Sequence, residues 1–411
     1  MISVLHPNRI LKVNLSLTGS KSITNRLLIL RSMYPSLKIK NKSESHDSVV
    51  LENALKSSSN IKDINHAGTS MRFLTAFYSI LEDKEIIIKG SKRMHERPIY
   101  PLIDSLKLIG ADISYLEKDG FPPIRIKGKK LNFKKVQISS NVSSQFVSAI
   151  LLVAPKLNGG LVIELKGELI SKPYIQMTLS LLNDLGIKTS FKGKLITVEN
   201  LEEIQEKHIS VESDWSSASY WYSIVALSER AEVRLNNFYK NSIQGDSVLT
   251  KYYKSLGVGT RFTENKIILT KLKDFTPPQN LNLNLIDSPD LAQTIAVTCF
   301  GLKINCFLDG LQTLNIKETK RLNALKNELK KLGANIQVTE SSLKLFEAKK
   351  IKNNIKIKTY DDHRMAMSFA PLSLKTPIFI ESPSVVAKSY PKFWDDLRKA
   401  GFVIKPIQKY N

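Results

Sequence analysis

The stretch from Asp104 to Leu116 reads DSLKLIGADISYL, with leucines at helical spacing, then a glycine, then alternating apolar residues. A glycine just after a helix readily takes the left-handed conformation that ends it. The alternating residues that follow are typical of a strand. The stretch therefore predicts a helix that ends at Gly110 and leads directly into a β-strand. The same order returns later in the chain around Gly186, Gly257, Gly333 and Gly401.

These five glycines recur at near-constant intervals of 76, 71, 76 and 68 residues. A degenerate first copy without the glycine lies near residues 51–64. Six copies of a unit of about 70 residues would account for nearly the whole chain, as in other repeat architectures. A helix, a glycine and a strand also follow one another in α/β proteins that have no repeat, so the pattern alone leaves that interpretation open.

Length and composition limit the class of protein. A chain of 411 residues suggests two or three domains, and 42% hydrophobic with 24% charged residues excludes a wholly disordered chain. The longest nearly apolar run, residues 146–154, is about half of the ~20 residues that span a membrane. The first residues do not look like a secretory signal. Two cysteines cannot form a disulfide framework. We therefore expect a cytoplasmic protein without membrane association.

The net charge of +23 raises nucleic-acid binding as an alternative. However, lysine outnumbers arginine 48 to 13, and no basic block is interleaved with aromatic residues. The same charge would also attract small, highly anionic substrates. Composition leaves both interpretations open.

One segment of residues 18–26, TGSKSITNR, predicts a turn that leads into a helix. Backbone N–H groups at a helix start, with Lys21 beside them, can form an anion site. The segment lacks the GxxxxGK[ST] spacing of a Walker A loop. Alone, it also fits an ordinary capped helix with solvated cations.

Similar polar segments precede other predicted helices. They are NHAGTSMR (65–72), KRMHERP (92–98), SSNVSSQF (139–146), SKPY (171–174), KETKR (317–321), DDHRM (361–365) and AKSYP (387–391). Hydroxyl groups suit a phosphate monoester, and an arginine fork suits a carboxylate or a phosphate. Two acids and one histidine beside a fixed cation make a poor metal cage, and no HExxH signature is present, so no metal site is expected.

Together with SDWSSASY (213–220) and SPDLAQT (288–294), these motifs resemble the 5-enolpyruvylshikimate-3-phosphate (EPSP) synthase family of enolpyruvyl transferases. The resemblance runs from Gly19 to Trp394. It implies a 3-phosphoshikimate 1-carboxyvinyltransferase of the shikimate pathway. Such an enzyme converts phosphoenolpyruvate and shikimate-3-phosphate to EPSP and phosphate. It also implies that no metal or organic cofactor takes part.

The resemblance further implies an α/β fold of two inside-out domains with six βαβαββ-type units, three in each domain. The expected domains are residues 20–212, and residues 1–19 together with 213–411, with the active site in the cleft between them. The expected partners are the two small anionic substrates and the inhibitor glyphosate. Neither nucleic acid nor a membrane is expected to bind, and the protein is expected to be a monomer.

Site residues also follow from the resemblance, motif by motif. The residues expected to bind phosphoenolpyruvate are Lys21, Gly68, Arg97, Gln145, Arg321, Arg364 and Lys388. Those expected to bind shikimate-3-phosphate are Lys21, Ser22, Arg26, Ser143, Ser144, Gln145, Ser171, Tyr174, Asp290, Thr313 and Lys317. The catalytic set is Lys21, Asp290, Glu318 and His363. In it, Asp290 helps to remove the proton of the reacting hydroxyl. Lys21 and Glu318 are the expected proton-transfer groups, and which of them protonates which atom stays open.

Departures and rivals accompany this interpretation. Thr313 stands where many members of the family have an asparagine, and Lys320 replaces a common aspartate. UDP-N-acetylglucosamine enolpyruvyl transferases share the fold, but they usually carry a cysteine near the RMHERP position. Here Cys299 and Cys306 lie in an apolar stretch and are expected in the core. A basic RNA-binding or RNA-end-processing protein is the alternative from another class.

Overall fold

The computed structural model describes residues 1–131, 134–139, 143–348 and 350–407. Residues 140–142 of the predicted SSNVSSQF segment, and the last four residues of the predicted second domain, lie outside these ranges. The chain divides into two compact units. We call Gly19–Val211 the N-terminal unit, and Met1–Thr18 with Glu212–Asn411 the C-terminal unit.

The described residues form 22 strands and 13 α-helices. The strands are β1 (Ile2–Leu5), β2 (Ile10–Ser16), β3 (Leu37–Lys40), β4 (Ile61–Asp63), β5 (Glu85–Lys89), β6 (Asp112–Tyr115), β7 (Ile124–Lys127), β8 (Lys135–Ser139), β9 (Leu161–Lys166), β10 (Thr189–Lys192), β11 (Leu195–Val198), β12 (Lys207–Ser210), β13 (Arg230–Asn236), β14 (Val258–Phe262), β15 (Lys266–Lys271), β16 (Asn280–Asn284), β17 (Asn305–Asp309), β18 (Asn335–Val338), β19 (Leu343–Phe346), β20 (Ile355–Ile357), β21 (Ile378–Ile380) and β22 (Val403–Pro406). The helices are α1 (Lys21–Met33), α2 (His46–Lys56), α3 (Gly68–Ser79), α4 (Lys92–His95), α5 (Tyr100–Leu108), α6 (Ser144–Val153), α7 (Lys172–Asp184), α8 (Trp215–Leu227), α9 (Leu249–Lys254), α10 (Ala292–Leu302), α11 (Arg321–Lys331), α12 (His363–Phe369) and α13 (Phe393–Lys399).

Two four-stranded sheets and one two-stranded sheet form within the described part of the N-terminal unit. Their strand orders are β4-β5-β7-β6, β8-β9-β11-β10 and β3-β12. The first two strands of each four-stranded sheet are parallel, and the remaining pairs are antiparallel. The pair β3 and β12 is parallel.

The C-terminal unit repeats the same strand order three times in its described residues. Its sheets are β2-β13-β15-β14, β16-β17-β19-β18 and β20-β21-β1-β22. In the last of these, β1 pairs antiparallel with both β21 and β22. The start of the chain therefore completes the sheet made by its end.

Helices alternate with these strands in a fixed way. In the sheet that begins with β4, α3 joins β4 to β5, α5 joins β5 to β6, and the hairpin of β6 and β7 follows. This βαβαββ order recurs in all five four-stranded sheets. In the sheet that begins with β2, the chain forms the whole N-terminal unit between β2 and β13. In the sheet that begins with β20, the first strand of the chain, β1, pairs with the last, β22. The sixth copy comprises β12, α1, β3 and α2, and no closing hairpin completes it within the described ranges. The predicted sixfold α/β repeat is thus present, with its sixth unit shortened.

The five glycines of the repeat all take positive φ. The angles are +98° at Gly110, +86° at Gly186, +83° at Gly257, +100° at Gly333 and +94° at Gly401. Residues with side chains rarely adopt this conformation, so glycine ends each of these helices at little cost. In the degenerate copy, α2 ends at Lys56 and Ser57 takes extended backbone instead.

The core of each unit is built around helices that are buried on nearly every side. In the C-terminal unit, α8 and α10 pack against each other, and almost all of their residues are buried. In the N-terminal unit, α3 packs against α6 in the same way. Residues at the starts of such helices are held in place by the core while their backbone N–H groups stay unbonded within the helix. This arrangement places polar side chains on rigid supports.

Candidate active site

Arg321, the first residue of α11, is the centre of a charged cluster in the C-terminal unit. Its side chain is 2% exposed. Nε donates to Asp362 Oδ2 at 2.7 Å, Nη1 to Asp290 Oδ1 at 2.8 Å and Nη2 to Glu318 Oε2 at 2.6 Å. One guanidinium therefore joins three carboxylates, which is the geometry for which arginine is suited.

The three carboxylates come from segments that immediately precede helices. Asp290 lies in a 3₁₀ turn before α10. Glu318 lies in the short connection before α11, and Asp362 caps α12 by accepting from the N–H of Arg364 at 2.9 Å. A cap that satisfies a free N–H stabilises a helix. The local folding of each segment thus presents its acidic group toward Arg321.

Asp290 also contacts two cations besides Arg321. Arg364 Nη2 donates to Oδ2 at 3.0 Å, and Lys317 Nζ lies 3.6 Å from Oδ1. Burial alone would raise the pKa of Asp290, but Arg364, Lys317 and Arg321 outweigh it and hold that pKa well below its usual range. Asp290 is therefore ionised at neutral pH and can accept a hydrogen bond from a hydroxyl group.

His363 and Lys388 lie at the edge of this cluster. His363 is the first residue of α12, is 2% exposed, and has Nδ1 3.8 Å from Asp362 Oδ1. Lys388 Nζ donates to the carbonyl oxygen of Asp361 at 2.6 Å. Both residues are thus joined to the cluster through neighbours in the DDHR segment.

Thr313 lies in the 3₁₀ segment Gln312–Ile316 and is 6% exposed. Within the described ranges, its buried hydroxyl oxygen has no hydrogen-bond partner. The structure does not join it to the Arg321 cluster by a hydrogen bond among those residues. A buried hydroxyl without a protein partner is available to a ligand or a water molecule.

Asp246 is a further acidic residue of this site, and the sequence motifs did not indicate it. It is 3% exposed, and its Oδ2 accepts from the hydroxyl of Ser216. Ser216 in turn accepts from Arg364 Nη2 at 3.4 Å. Burial raises the pKa of Asp246 to about 6, although Arg364 opposes this shift. Asp246 lies in the 3₁₀ segment Gly245–Val248 before α9, and the sequence gives little signal for its role because its partner Ser216 is 30 residues away.

The titration of Asp246 predicts how stability depends on pH. The unfolded chain releases this proton near pH 3.8, whereas the folded protein holds it to about pH 6. Burial in the folded protein disfavours the ionised form of Asp246. The free energy of unfolding of the wild type therefore falls as the pH rises between these two values, and this loss persists at higher pH. We expect Asp246→Asn to gain about 2–3 kcal/mol of stability relative to the wild type between about pH 4 and pH 7.

Urea unfolding of both proteins across this pH range measures the difference. Asp396→Asn is the control for replacing a buried carboxylate by an amide elsewhere in the same unit. The Asp396 oxygens accept from Tyr390 and Lys399. A constant difference between Asp246→Asn and the wild type at every pH would contradict the prediction.

Lys21 begins α1 in the N-terminal unit. Ser20 caps this helix by accepting from Ile23 N at 3.4 Å. Lys21 Nζ donates to Asp47 Oδ2 at 3.0 Å, and the two side chains are 19% and 9% exposed. Ser22 follows in the same first turn. The predicted cation therefore lies at a helix start, and its acidic partner Asp47 was not anticipated from the sequence.

Arg26 is buried one turn further along α1. Its guanidinium donates to Ser22 O at 2.9 Å, Thr178 Oγ1 at 2.7 Å, Ser148 Oγ at 2.9 Å and Tyr174 O at 3.2 Å. Burial lowers the pKa of Arg26 to about 10, so the side chain is still protonated at neutral pH. Arg26 thus ties α1 to α6 and α7. Its expected binding to shikimate-3-phosphate stays a prediction.

Gly68 and Arg97 lie against each other in the N-terminal unit. Gly68 begins α3, and Arg97 is 7% exposed. A Cβ atom at position 68 would lie 2.5 Å from Arg97 Nη1 and 3.0 Å from Nη2. Arg72 donates to the carbonyl oxygens of Gly68 and Pro98, at 3.0 and 3.1 Å. Glycine at position 68 is therefore what allows the Arg97 guanidinium to occupy its place.

The predicted serines lie at two helix starts of the same unit. Ser143 caps α6 by accepting from Gln145 N at 3.2 Å, and Ser144 begins that helix. Ser171 immediately precedes α7 with a φ of +57°, and Tyr174 N donates to its carbonyl oxygen at 3.1 Å. Such helix starts can bind a phosphate. The contacts of Arg26 with Ser148 and Tyr174 bring these two helix starts close to α1.

Three general features of the molecule complete the description. Among the described residues, no three or more histidine, cysteine, aspartate or glutamate side chains are grouped so as to hold a metal ion. None of the helices in the same ranges is long and apolar enough to cross a bilayer. Cys299 and Cys306 are free thiols buried in the core.

Solved structures identify the class of this fold. EPSP synthase from Acinetobacter baumannii superposes with a TM-score of 0.78 and 22% identity, covering 98% of this chain and 99% of that one. The enolpyruvyl transferase NikO from Streptomyces tendae gives a TM-score of 0.74 with 14% identity, covering 98% of each chain. The protein therefore has the enolpyruvyl transferase fold, as its motifs predict.

Sequence relatives define the family. The profile of the family described as EPSP synthase (3-phosphoshikimate 1-carboxyvinyltransferase) matches residues 31–397. A 3-phosphoshikimate 1-carboxyvinyltransferase of Bacteroides fragilis is 43% identical over 403 residues, covering 96% of this chain and 97% of the relative. One of Haemophilus influenzae is 34% identical over 434 residues, covering 96% and 98%. The chain belongs to the EPSP synthase family and is a transferase of the shikimate pathway. The predicted family and activity are thereby confirmed.

Proposed function

We propose that the two groups of residues described above carry out one addition and elimination reaction. The 5-hydroxyl oxygen of shikimate-3-phosphate bonds to C2 of phosphoenolpyruvate and loses its proton, while C3 gains a proton. The tetrahedral intermediate then loses a proton from C3, its C2–O bond to phosphate breaks, and phosphate leaves. The reaction needs cations for two phosphates and two carboxylates, together with groups that transfer protons.

The Arg321 cluster is the observation that carries this proposal. In it, Asp290 is ionised and so suited to accept a hydrogen bond from the 5-hydroxyl group. Glu318 pairs with the guanidinium of Arg321, and its side chain is 19% exposed, so a substrate can reach it. Arg321, Arg364 and Lys388 would hold the phosphoenolpyruvate anion, and Lys317 and Thr313 would contact shikimate-3-phosphate. His363 would be a further catalytic residue beside these cations.

The residues of the N-terminal unit would act on the same two substrates. Lys21, Gly68, Arg97 and Gln145 would bind phosphoenolpyruvate, and Lys21 would share proton transfer with Glu318. The phosphate of shikimate-3-phosphate would meet Ser143, Ser144 and Ser171 at helix starts, which favour anions. Ser22, Arg26, Gln145 and Tyr174 would complete its binding. As domain bounds we propose residues 20–212, and residues 1–19 with 213–411.

Phosphate release from the purified protein tests the reaction. The assay contains phosphoenolpyruvate, one of two acceptors and no added metal. Release that requires shikimate-3-phosphate supports the proposal. Release only with UDP-N-acetylglucosamine, or none with either acceptor from folded protein, would contradict it.

We also propose a cytoplasmic monomer that acts on small anions and not on nucleic acid. Two free buried thiols fit a reducing compartment. Sedimentation over a hundredfold range of concentration measures the oligomeric state, and retention on an RNA column at increasing salt measures nucleic-acid binding. A stable dimer, or retention that persists at physiological salt, would contradict the proposal.

Gly68→Ala tests the close approach of Arg97. The added Cβ would meet the guanidinium at 2.5 Å, so Arg97 must move. Since Arg97 is expected to bind phosphoenolpyruvate, we expect the KM for phosphoenolpyruvate to rise about tenfold, which corresponds to about 1.4 kcal/mol. Competition by glyphosate should weaken as well. Steady-state kinetics with varied phosphoenolpyruvate, with and without glyphosate, measures both effects.

Gly301→Ala is the matched control for this prediction. Gly301 also lies in a helix, and its added Cβ would lie 2.6 Å from Leu227 Cδ2 in the core. This variant should lose stability and keep its KM for phosphoenolpyruvate. If Gly68→Ala left both the KM and glyphosate competition unchanged, the Gly68–Arg97 contact would have no part in binding.

A further inference from the structure

The chain enters α12 through a tight turn of residues 359–362. Tyr360 and Asp361 both have φ of +54°, and Asp362 N donates to Thr359 O at 2.9 Å. Positive φ at both central residues is the pattern of a type I′ turn, which favours asparagine, aspartate and glycine. An aspartate tolerates this conformation, but a tyrosine pays for it. Something outside the turn must therefore hold Tyr360 in place.

The Tyr360 ring packs at the edge of the hydrophobic core, and its hydroxyl group reaches Glu328 of α11. The Tyr360 hydroxyl donates to Glu328 Oε1 at 2.8 Å. The other oxygen, Oε2, accepts from the backbone N–H of Lys358 at 3.0 Å and from Lys331 Nζ at 2.7 Å. The Glu328 side chain is 0% exposed. One buried carboxylate thus bonds to the chain before the turn and to the strained residue within it.

Residues 361 and 362 of this turn contact charged groups of the Arg321 cluster. The carbonyl oxygen of Asp361 accepts from Lys388 Nζ at 2.6 Å. The next residue, Asp362, accepts from Arg321 Nε at 2.7 Å and caps the helix at Arg364 N. A change in the turn would therefore move the bonding partners of Lys388 and Arg321 together.

We propose that Glu328 and Tyr360 are positioning residues for phosphoenolpyruvate binding. They hold a strained turn that orients Lys388 and Arg321, and they do not touch the substrate themselves. This inference rests on the proposed role of those two cations. A residue held in an unfavourable conformation persists only when its surroundings over-determine it, and here we assign that part to the hydrogen bond of Tyr360 with the buried carboxylate of Glu328.

Two variants of Tyr360 separate this role from simple packing. Tyr360→Phe removes the hydroxyl group and keeps a residue that disfavours positive φ. Tyr360→Gly removes the whole side chain, yet glycine adopts the turn freely. We expect the KM for phosphoenolpyruvate to rise about tenfold in Tyr360→Phe, as for the loss of one hydrogen bond to a charged group. In Tyr360→Gly the rise should be smaller, and in both variants the KM for shikimate-3-phosphate should stay within about twofold.

Tyr222→Phe is the matched control in the same unit. The Tyr222 hydroxyl is hydrogen-bonded to Thr260 Oγ1 at 2.9 Å, and the residue is buried. This control should lose stability like Tyr360→Phe and keep a wild-type KM for phosphoenolpyruvate. The proposal is overturned by an unchanged KM in Tyr360→Phe. A larger rise in Tyr360→Gly than in Tyr360→Phe would also overturn it, because packing would then be the cause.

Hydrogen exchange without substrate tests the turn independently of the reaction. Peptides that contain the Asp362 amide should exchange faster in Tyr360→Phe than in the wild type, and less so in Tyr360→Gly. Equal exchange in wild type and Tyr360→Phe would overturn the proposal, even in a protein with full activity. Faster exchange in a protein that shows no phosphate release would instead support the strained turn and contradict only the proposed function.

Discussion

Replacing Arg321 with methionine is expected to lower the free energy of unfolding of the C-terminal unit by about 3–5 kcal/mol, the cost of breaking a buried ion pair. The substitution leaves Asp290, Glu318 and Asp362 without their shared cation. The Asp362 side chain is 0% exposed, so water cannot replace the lost partner there. Methionine has a similar length but supplies none of the hydrogen bonds. Activity should be lost together with stability.

Urea unfolding followed by tryptophan fluorescence measures this effect in the right part of the molecule. All three tryptophans, Trp215, Trp221 and Trp394, belong to the C-terminal unit. Arg398→Met is the control, because Arg398 pairs with Asp395 at 2.8 Å while its side chain is 51% exposed. We expect that control to cost less than about 1 kcal/mol. A comparably small loss in Arg321→Met would show that the cluster does not support the fold.

Some of the architecture follows from local patterns in the sequence. The glycine at the end of each repeated helix predicted the helix bound and the strand that follows, because positive φ is a local requirement. The starts of α1, α3, α6 and α12 were likewise marked by turn residues and hydroxyl groups. These features depend on a few neighbouring residues, so a single sequence is enough to predict them.

Other parts of the site depend on contacts between residues distant in sequence. Lys21 pairs with Asp47, 26 residues away, and Arg364 meets Ser216, 148 residues away. The sequence offered no periodicity or spacing that links such pairs. Tyr360 is a stronger case, since its residue type argues against the left-handed backbone that it adopts. Tertiary contacts with Glu328 override that preference, and only the folded structure reveals them.

Arg26 illustrates the same limit from the other side. The family resemblance carried by GSKSITNR implied that Arg26 binds shikimate-3-phosphate. The structure gives its guanidinium four oxygen partners within the N-terminal unit, from α1, α6 and α7. A cation near a predicted anion site can therefore support the helices that form the site. Residue type alone does not distinguish this role from direct binding.

Glu318→Gln is expected to lower kcat by about 10²–10⁴-fold, the usual contribution of a general acid or base. Glutamine keeps the shape of the side chain and can still accept from Arg321 Nη2, which lies 2.6 Å from Glu318 Oε2. It cannot release or take up a proton. Arg321 retains Asp290 and Asp362, so the fold should persist. Steady-state turnover of shikimate-3-phosphate with phosphoenolpyruvate measures the loss.

Glu229→Gln is the control for Glu318→Gln, because it removes the same charge from an ion pair with Arg9 in the same unit. Its kcat should match the wild type. Urea unfolding followed by tryptophan fluorescence should show that Glu318→Gln loses much less stability than Arg321→Met, because Arg321 keeps two of its carboxylates, so that lost turnover is not lost structure. If the folded variant kept wild-type turnover, Glu318 would have no part in proton transfer. Lys21 would then be left as the proposed group for that step, and loss of turnover in Lys21→Met would be the result that supports it.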